Sequence, residues 1–132
     1  MQKQHIVPVL VKKHLDALPS EANGMPVNLY HTDSYLVINA GLPRCLPDHI
    51  HVFVAPARVL IRAERHAGEG PIREERTYIL SELPDGIIGR VLDLPQGDWT
   101  YAAAEAHFAN GLLTVTLPTQ ARAEYLRQMH TA

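Results

Sequence analysis

Residues 106–118, which read AHFANGLLTVTLP, predict a β-hairpin. Its centre, Asn110-Gly111, is a dipeptide that favours positive φ at both positions, as a tight two-residue hairpin turn requires. In the second arm apolar residues recur at every second position, at Leu113, Val115 and Leu117. One face of that strand is therefore apolar, and it is expected to face a core.

The same alternation continues through residues 27–118. Short runs of strand-forming residues are separated by Pro, Gly, Asn and Asp, and no helical period interrupts them. The faces expected to be buried are Leu36, Ile38, Ala40 and Leu42, then Ile50, Val52 and Val54, then Val59 and Ile61. This pattern predicts an all-β fold, an immunoglobulin-like antiparallel β-sandwich.

Four blocks of the sequence resemble the small heat shock proteins. The hairpin is similar to the signature A-x-x-x-N-G-L/V-L-x-V-x-L-P at the end of their α-crystallin domain, and AGLPRCLPDHIHVFV, RVLIRAER and SELPDGIIGRVLDLP match three further blocks in the right order. The chain departs from the family pattern at Gly41, Arg44, Ala63 and Ile88, where an acidic residue, Gly, Gly and Phe are usual. The resemblance implies an ATP-independent holdase that binds partly unfolded client proteins and uses no cofactor.

Composition indicates which partners and which compartment to expect. The formal net charge of -2 favours neither nucleic acid nor an anionic membrane as a partner. A lone cysteine, Cys45, and the lack of a leader-like apolar run at the N-terminus lead us to expect a cytoplasmic protein. We divide the chain into an arm and linker (1–24), a β-sandwich domain (25–118) and a tail (119–132).

The N-terminal arm permits two interpretations. Apolar residues from Val7 to Leu18 fall on one stripe of a helix, with Pro8 in its first turn. Alternatively, Val7-Pro8-Val9 is extended, because Pro8 disfavours the α conformation at Val7. The helix is the preferred interpretation.

Side chains that could carry chemistry are few. His49 and His51 share one face of a strand and could begin a metal site, but a chain with eight histidines forms such pairs by chance. Cys45 has no nearby base or cationic cluster in the sequence that would activate it. We therefore expect no enzyme and no bound metal.

The resemblance also implies a groove that accepts an apolar triplet from the C-terminal tail of a neighbouring subunit. Its walls would be Ile50, Val52 and Val54 on one strand and Ala102, Ala104 and Ala106 on the other, unless these six residues are simply core. The tail itself has no apolar-x-apolar triplet, and the spacing of Leu126 and Met129 suits a short helix. In the N-terminal arm, Val7-Pro8-Val9 has the apolar-x-apolar spacing that the tail lacks. We therefore expect assembly through the arm, so that deleting residues 1–18 leaves dimers and deleting residues 119–132 changes little.

A second interface is implied by the segment between RVLIRAER and IIGRVLDL. In the members that this spacing resembles, such a segment crosses to the partner, so we expect a homodimer by strand exchange, with larger oligomers built from it. The expected interface residues are Arg76, Tyr78, Leu80 and Arg90, with the strand at 76–80 joining the partner's edge at 27–30. An adaptor of the CS-domain type is the alternative function, but such domains lack this dimerisation strand.

Overall fold

Nine β-strands in two sheets and one C-terminal helix form the part of the chain that the computed structural model describes, residues 4–15, 25–65, 74–75, 77, 79–80 and 86–130. The strands are β1 (His5–Val7), β2 (Val9–Val11), β3 (Val27–His31), β4 (Tyr35–Gly41), β5 (Cys45–Ala55), β6 (Arg58–Arg65), β7 (Gly86–Asp93), β8 (Glu105–Ala109) and β9 (Leu112–Pro118). The helix is α1 (Gln120–His130), and a short 3-10 turn covers Tyr101–Ala103. The predicted β-sandwich is confirmed.

The two sheets are arranged in the orders β1-β8-β9-β4-β3 and β2-β5-β6-β7. The predicted hairpin is β8 and β9, and its turn residues have φ of 56° at Asn110 and 74° at Gly111. The Gly111 carbonyl accepts a hydrogen bond of 2.7 Å from the Leu42 amide, which ties this turn to the end of β4. The decisive stretch therefore folds as its turn chemistry predicts.

The core lies between the sheets and is mainly aliphatic. Every residue that the alternation assigns to an inward face is buried: Leu36, Ile38, Ala40 and Leu42, then Ile50, Val52 and Val54, then Val59 and Ile61, then Leu113, Val115 and Leu117. Removing each such Val, Leu or Ile side chain from water contributes about 1.5–3 kcal/mol. The alternating faces therefore hold the sandwich together.

The prediction of a helix in the N-terminal arm is wrong for residues 5–11. These residues form β1 and β2, which lie on either side of Pro8. Pro8 holds Val7 in the extended region, and the β-branched residues around it favour strands. The helical stripe is overridden because two sheet edges are close enough to pair with an extended chain.

The tail folds as the short helix that its spacing predicts. Thr119 caps α1, because its Oγ1 accepts a hydrogen bond of 3.2 Å from the Arg122 amide. The Arg122 guanidinium lies 5.6 Å from the ring centre of Tyr35 and 5.4 Å from that of Tyr125. The contact with Tyr35 holds the helix against the start of β4, whereas Tyr125 belongs to the helix itself.

Candidate functional site

One side of the sandwich contains a cleft between β5 and β8, which belong to different sheets. The arm lies in this cleft and pairs with both walls. β1 runs antiparallel to β8 with Val7 opposite Ala106, and β2 runs parallel to β5 with Val9 opposite Val52. Pro8 marks the point where the chain passes from one sheet to the other.

The β5 wall of the cleft contains the inward-facing residues of that strand. Ile50, Val52 and Val54 point inward and are buried, and Val9 packs against this core. Beyond β2, the Lys12 amide donates a hydrogen bond of 2.7 Å to the Val54 carbonyl. The arm is therefore held along this wall by main-chain pairing as well as by an apolar contact.

The opposite wall differs from the prediction. Ala106 is buried in β8, but Ala102 is exposed in the 3-10 turn and Ala104 is half-buried ahead of the strand. The Ala104 amide donates to the Tyr101 carbonyl at 3.2 Å, which keeps this stretch in a turn. Consecutive alanines have little strand preference, so the turn prevails.

Phe108 is the wall residue that the sequence reasoning missed. It lies two positions beyond Ala106 on the inward face of β8 and is buried. The alternation in EAHFA was the signal that could have identified it. The cleft therefore has an aromatic residue on the wall that the resemblance assigns to three alanines.

The triplet occupies the cleft of its own chain. Val7 is only 2% exposed, so the cleft is filled within one molecule. Within this single chain the docked triplet is not available to link two molecules. Assembly through the arm stays a prediction. Covering both edges instead predicts that the arm limits association at this side.

The arm leaves an open pocket of about 330 Å³ beside Pro8. Its lining includes Ile6, Leu10, Pro47 and Ile50. Ile6 and Leu10 are themselves exposed, at 79% and 49%. The arm therefore buries few of its side chains in the cleft, and it leaves apolar side chains exposed on its outer side.

The predicted dimer residues are only partly described. Arg90 lies in β7, and its Nη1 donates a hydrogen bond of 3.1 Å to the Met25 carbonyl. Leu80 is exposed, whereas Arg76 and Tyr78 lie outside the described residues. The described positions 74–75, 77 and 79–80 are not in a strand within this single chain. Pairing with a partner stays a prediction.

The histidine pair lies on β5, where His49 and His51 alternate with the buried residues and so face away from the core. Within the described ranges, no group of three or more His, Cys, Asp or Glu side chains is placed to hold a metal ion.

Among the described residues, no helix has the length and apolar character needed to cross a membrane.

Cys45 is buried at the start of β5, opposite Arg65. Burial raises the pKa of the Cys45 thiol, while a hydrogen bond with Arg65 and the charges of Arg65 and Arg44 act to lower it. The sequence reasoning missed these two arginines. Since desolvation is the larger effect, the thiol is held in its protonated, poorly nucleophilic form.

Comparison with known protein families gives a match over most of the chain. The sequence profile described as the Hsp20/alpha crystallin family matches residues 29–130. No curated protein sequence matches the chain.

Solved structures share the fold. Heat shock protein 16.0 from Schizosaccharomyces pombe is 24% identical with a TM-score of 0.65, and the match covers 77% of each chain. HspA from Xanthomonas axonopodis is 24% identical with a TM-score of 0.61, covering 73% of this chain and 93% of that one. A small heat-shock protein from Xylella fastidiosa, described as having a distinct high order structure, is 21% identical with a TM-score of 0.61, covering 74% and 87%.

Proposed function

Because the chain belongs to the Hsp20/alpha crystallin family, we propose that it is an ATP-independent chaperone, a holdase that binds partly unfolded client proteins and keeps them from aggregating. This function requires no reaction and no cofactor. It requires a surface that binds exposed apolar chain without selecting one sequence. We expect the protein to act in the cytoplasm.

The observation that carries the proposal is the occupied cleft. The arm pairs with β5 and β8 through its backbone, while Val7 and Val9 contact the core. Backbone pairing is independent of sequence, and alternate side chains enter apolar space. An extended segment of a client with apolar residues two positions apart fits the cleft in the same way.

The proposal includes a homodimer formed at the other side of the sandwich. There β3 is the last strand of its sheet among the described residues, and its Leu29 and Tyr30 are exposed. A strand from a second copy would pair with this edge and cover both side chains. We assign that strand to residues 76–80, as the family resemblance implies.

A light-scattering assay tests the chaperone function. A protein that aggregates on heating is warmed with this protein, with and without ATP, and with an unrelated β-sandwich protein of similar size as the control. We expect reduced scattering that ATP does not change and that the control does not reproduce. Unreduced scattering at every ratio and temperature would exclude a holdase, and stable binding to a folded chaperone in the same samples would favour the CS-type adaptor.

A further inference from the structure

The outward face of the four-stranded sheet carries a row of apolar side chains. Leu10, Phe53, Leu60 and Val91 are register partners on β2, β5, β6 and β7, so they lie side by side across the four strands. Adjacent strands are about 4.7–4.9 Å apart, which makes the row about 14–15 Å long. The outer face of a sandwich sheet is usually polar, so an apolar row on it calls for a physical reason.

The side chains of this row point away from the core. The residues beside them along the strands, such as Val52 and Ile61, are buried, as alternation requires of a strand with one inward face. Leu10 is 49% exposed, and the other three members of the row are half-buried. The row is therefore apolar surface that a docked partner would remove from water.

The two ends of the row have opposite charges beside them. At the β2 end the Lys12 ammonium lies 6.0 Å from the ring centre of Phe53, which places it on the outward face. At the β7 end Asp93 lies two residues beyond Val91 and so shares its face. Asp93 forms an ion pair of 2.8 Å with Arg58, yet its side chain is 80% exposed and its carboxylate can accept a second cation.

A second copy of the chain fits this surface. Two sheets that pack face to face in the aligned arrangement keep their strands within about 30° of each other. A two-fold axis parallel to the strands, between β5 and β6, places β2 of each copy over β7 of the other and β5 over β6. Leu10 then faces Val91 of the second copy. Phe53 faces its Leu60, and each contact occurs twice, as a two-fold interface requires.

The same arrangement pairs the charges. Lys12 of each copy faces Asp93 of the other, so oppositely charged groups meet at both ends of the row. His51 and Arg62, which are exposed register partners, face each other across the contact, and a neutral imidazole accepts a hydrogen bond from a guanidinium. An axis along the row would instead bring Arg58 of one copy over Arg62 of the other. The charges therefore favour the axis parallel to the strands.

We propose that the outward face of the four-stranded sheet is a self-association surface, on which a second copy of the chain docks about a two-fold axis parallel to the strands. The patch is small, and interfaces below about 1,200 Å² are weak. The contact gains strength when it links molecules that are already joined at the β3 edge. It builds larger oligomers without the tail or the cleft, and it goes beyond the proposed function, because a holdase does not require it.

Charge reversal tests the contact in the full-length chain. Lys12→Glu and Asp93→Lys each bring like charges together at both ends of the row. We expect each to raise the dissociation constant of the larger species about tenfold or more in analytical ultracentrifugation. Arg127→Glu makes the same change of charge on α1, which packs against the other sheet, and should have no effect. Point variants are used because deleting the arm would also expose two sheet edges.

The two reversed proteins are then mixed in equal amounts. In a mixed pair both ends of the row again carry opposite charges, so we expect the larger species to return to the level of the natural chain. Mixing changes neither chain's own fold, so such a recovery cannot come from altered stability. No recovery, in samples whose circular dichroism shows folded sandwiches, would overturn the contact.

Leu60→Asp tests the apolar row. The matched control is Leu112→Asp, because Leu112 is 46% exposed on β9 of the other sheet. We expect Leu60→Asp to raise the dissociation constant of the larger species about tenfold and Leu112→Asp to leave it unchanged. Equal dissociation constants for the two variants would place the contact elsewhere. A natural chain that forms no species beyond those of the β3 edge, even at high concentration, would also overturn the proposal.

Discussion

The two sides of the sandwich differ in whether the chain itself covers the edges of the sheets. At one side β5 and β8 are covered by β2 and β1 from the same chain. At the other side β3 and β7 are the last strands of their sheets among the described residues, with Leu29, Tyr30 and Ile87 exposed. An edge covered from within needs no partner, whereas an open apolar edge favours one. The comparison separates a side that the chain covers itself from a side where we propose dimerisation.

Deleting the arm, which covers the edges of β5 and β8, is expected to have the largest effect on self-association. Deletion of residues 1–18 exposes two edges and removes Val7 from the core. We expect the deleted protein to self-associate into larger species than the full chain at equal concentration, as measured by analytical ultracentrifugation. Deletion of residues 119–132 should leave the species distribution nearly unchanged. Smaller species after the arm deletion would show that the arm links molecules after all.

The open side is tested by a charge at the proposed dimer strand. Leu80 is 73% exposed in the single chain, and burying an exposed leucine side chain at an interface is favourable because it removes apolar surface from water. We expect Leu80→Asp to raise the dimer dissociation constant about tenfold, which corresponds to about 1.4 kcal/mol. Met129→Asp, at an exposed position of α1, is the control and should have no effect. Equal dissociation constants for the two variants would place the interface elsewhere.

Arg90, on the open side, is predicted to serve both the stability of the chain and its dimerisation. Arg90→Gly removes the hydrogen bond to the Met25 carbonyl, and hydrogen bonds of charged groups contribute about 1.5–3 kcal/mol. If Arg90 also pairs with a carboxylate of a partner, the dimer dissociation constant rises as well. Thermal unfolding at several concentrations separates the two effects, because only the dimer contribution depends on concentration. An unchanged dissociation constant would restrict Arg90 to its role within the chain.

The smallest effect is expected at Arg44, in the turn between β4 and β5. Arg44 has φ of 66°, a left-handed conformation that is unfavourable for a residue with a side chain, and the family usually has Gly there. We expect Arg44→Gly to raise the free energy of unfolding by about 1 kcal/mol, the lower end of the cost of holding a residue with a side chain in this conformation. Chemical denaturation measures this change. A loss of stability would show that the Arg44 side chain contributes more than its backbone strain costs.

The elements that the sequence predicts well are those decided locally. Asn110-Gly111 determines the hairpin turn, and strict alternation identifies the buried faces of β4, β5 and β9. The positive φ at Arg44 is also signalled, because the chain departs from a family glycine at that position. In each case short-range chemistry and the core favour the same conformation.

The sequence misleads where distant contacts decide. Residues 5–11 carry a helical stripe, yet two sheet edges that are remote in sequence hold them extended. The family resemblance predicts a strand that already includes Ala102 and Ala104, whereas local hydrogen bonds form a turn there and β8 begins at Glu105. No periodicity could show that the arm binds its own chain, since that depends on where the folded sheets bring their edges.

Hydrogen exchange at the Lys12 amide tests the central claim most directly. This amide donates to Val54 at 2.7 Å and therefore reports docking of the arm, whereas the Leu42 amide, which donates to Gly111 at 2.7 Å, reports the body of the sandwich. If the arm opens while the domain stays folded, Lys12 should be at least roughly a hundredfold less protected than Leu42. Warming should increase exchange at Lys12 over the same temperature range in which client binding appears. Equal protection at the two amides up to global unfolding would contradict an arm that opens by itself.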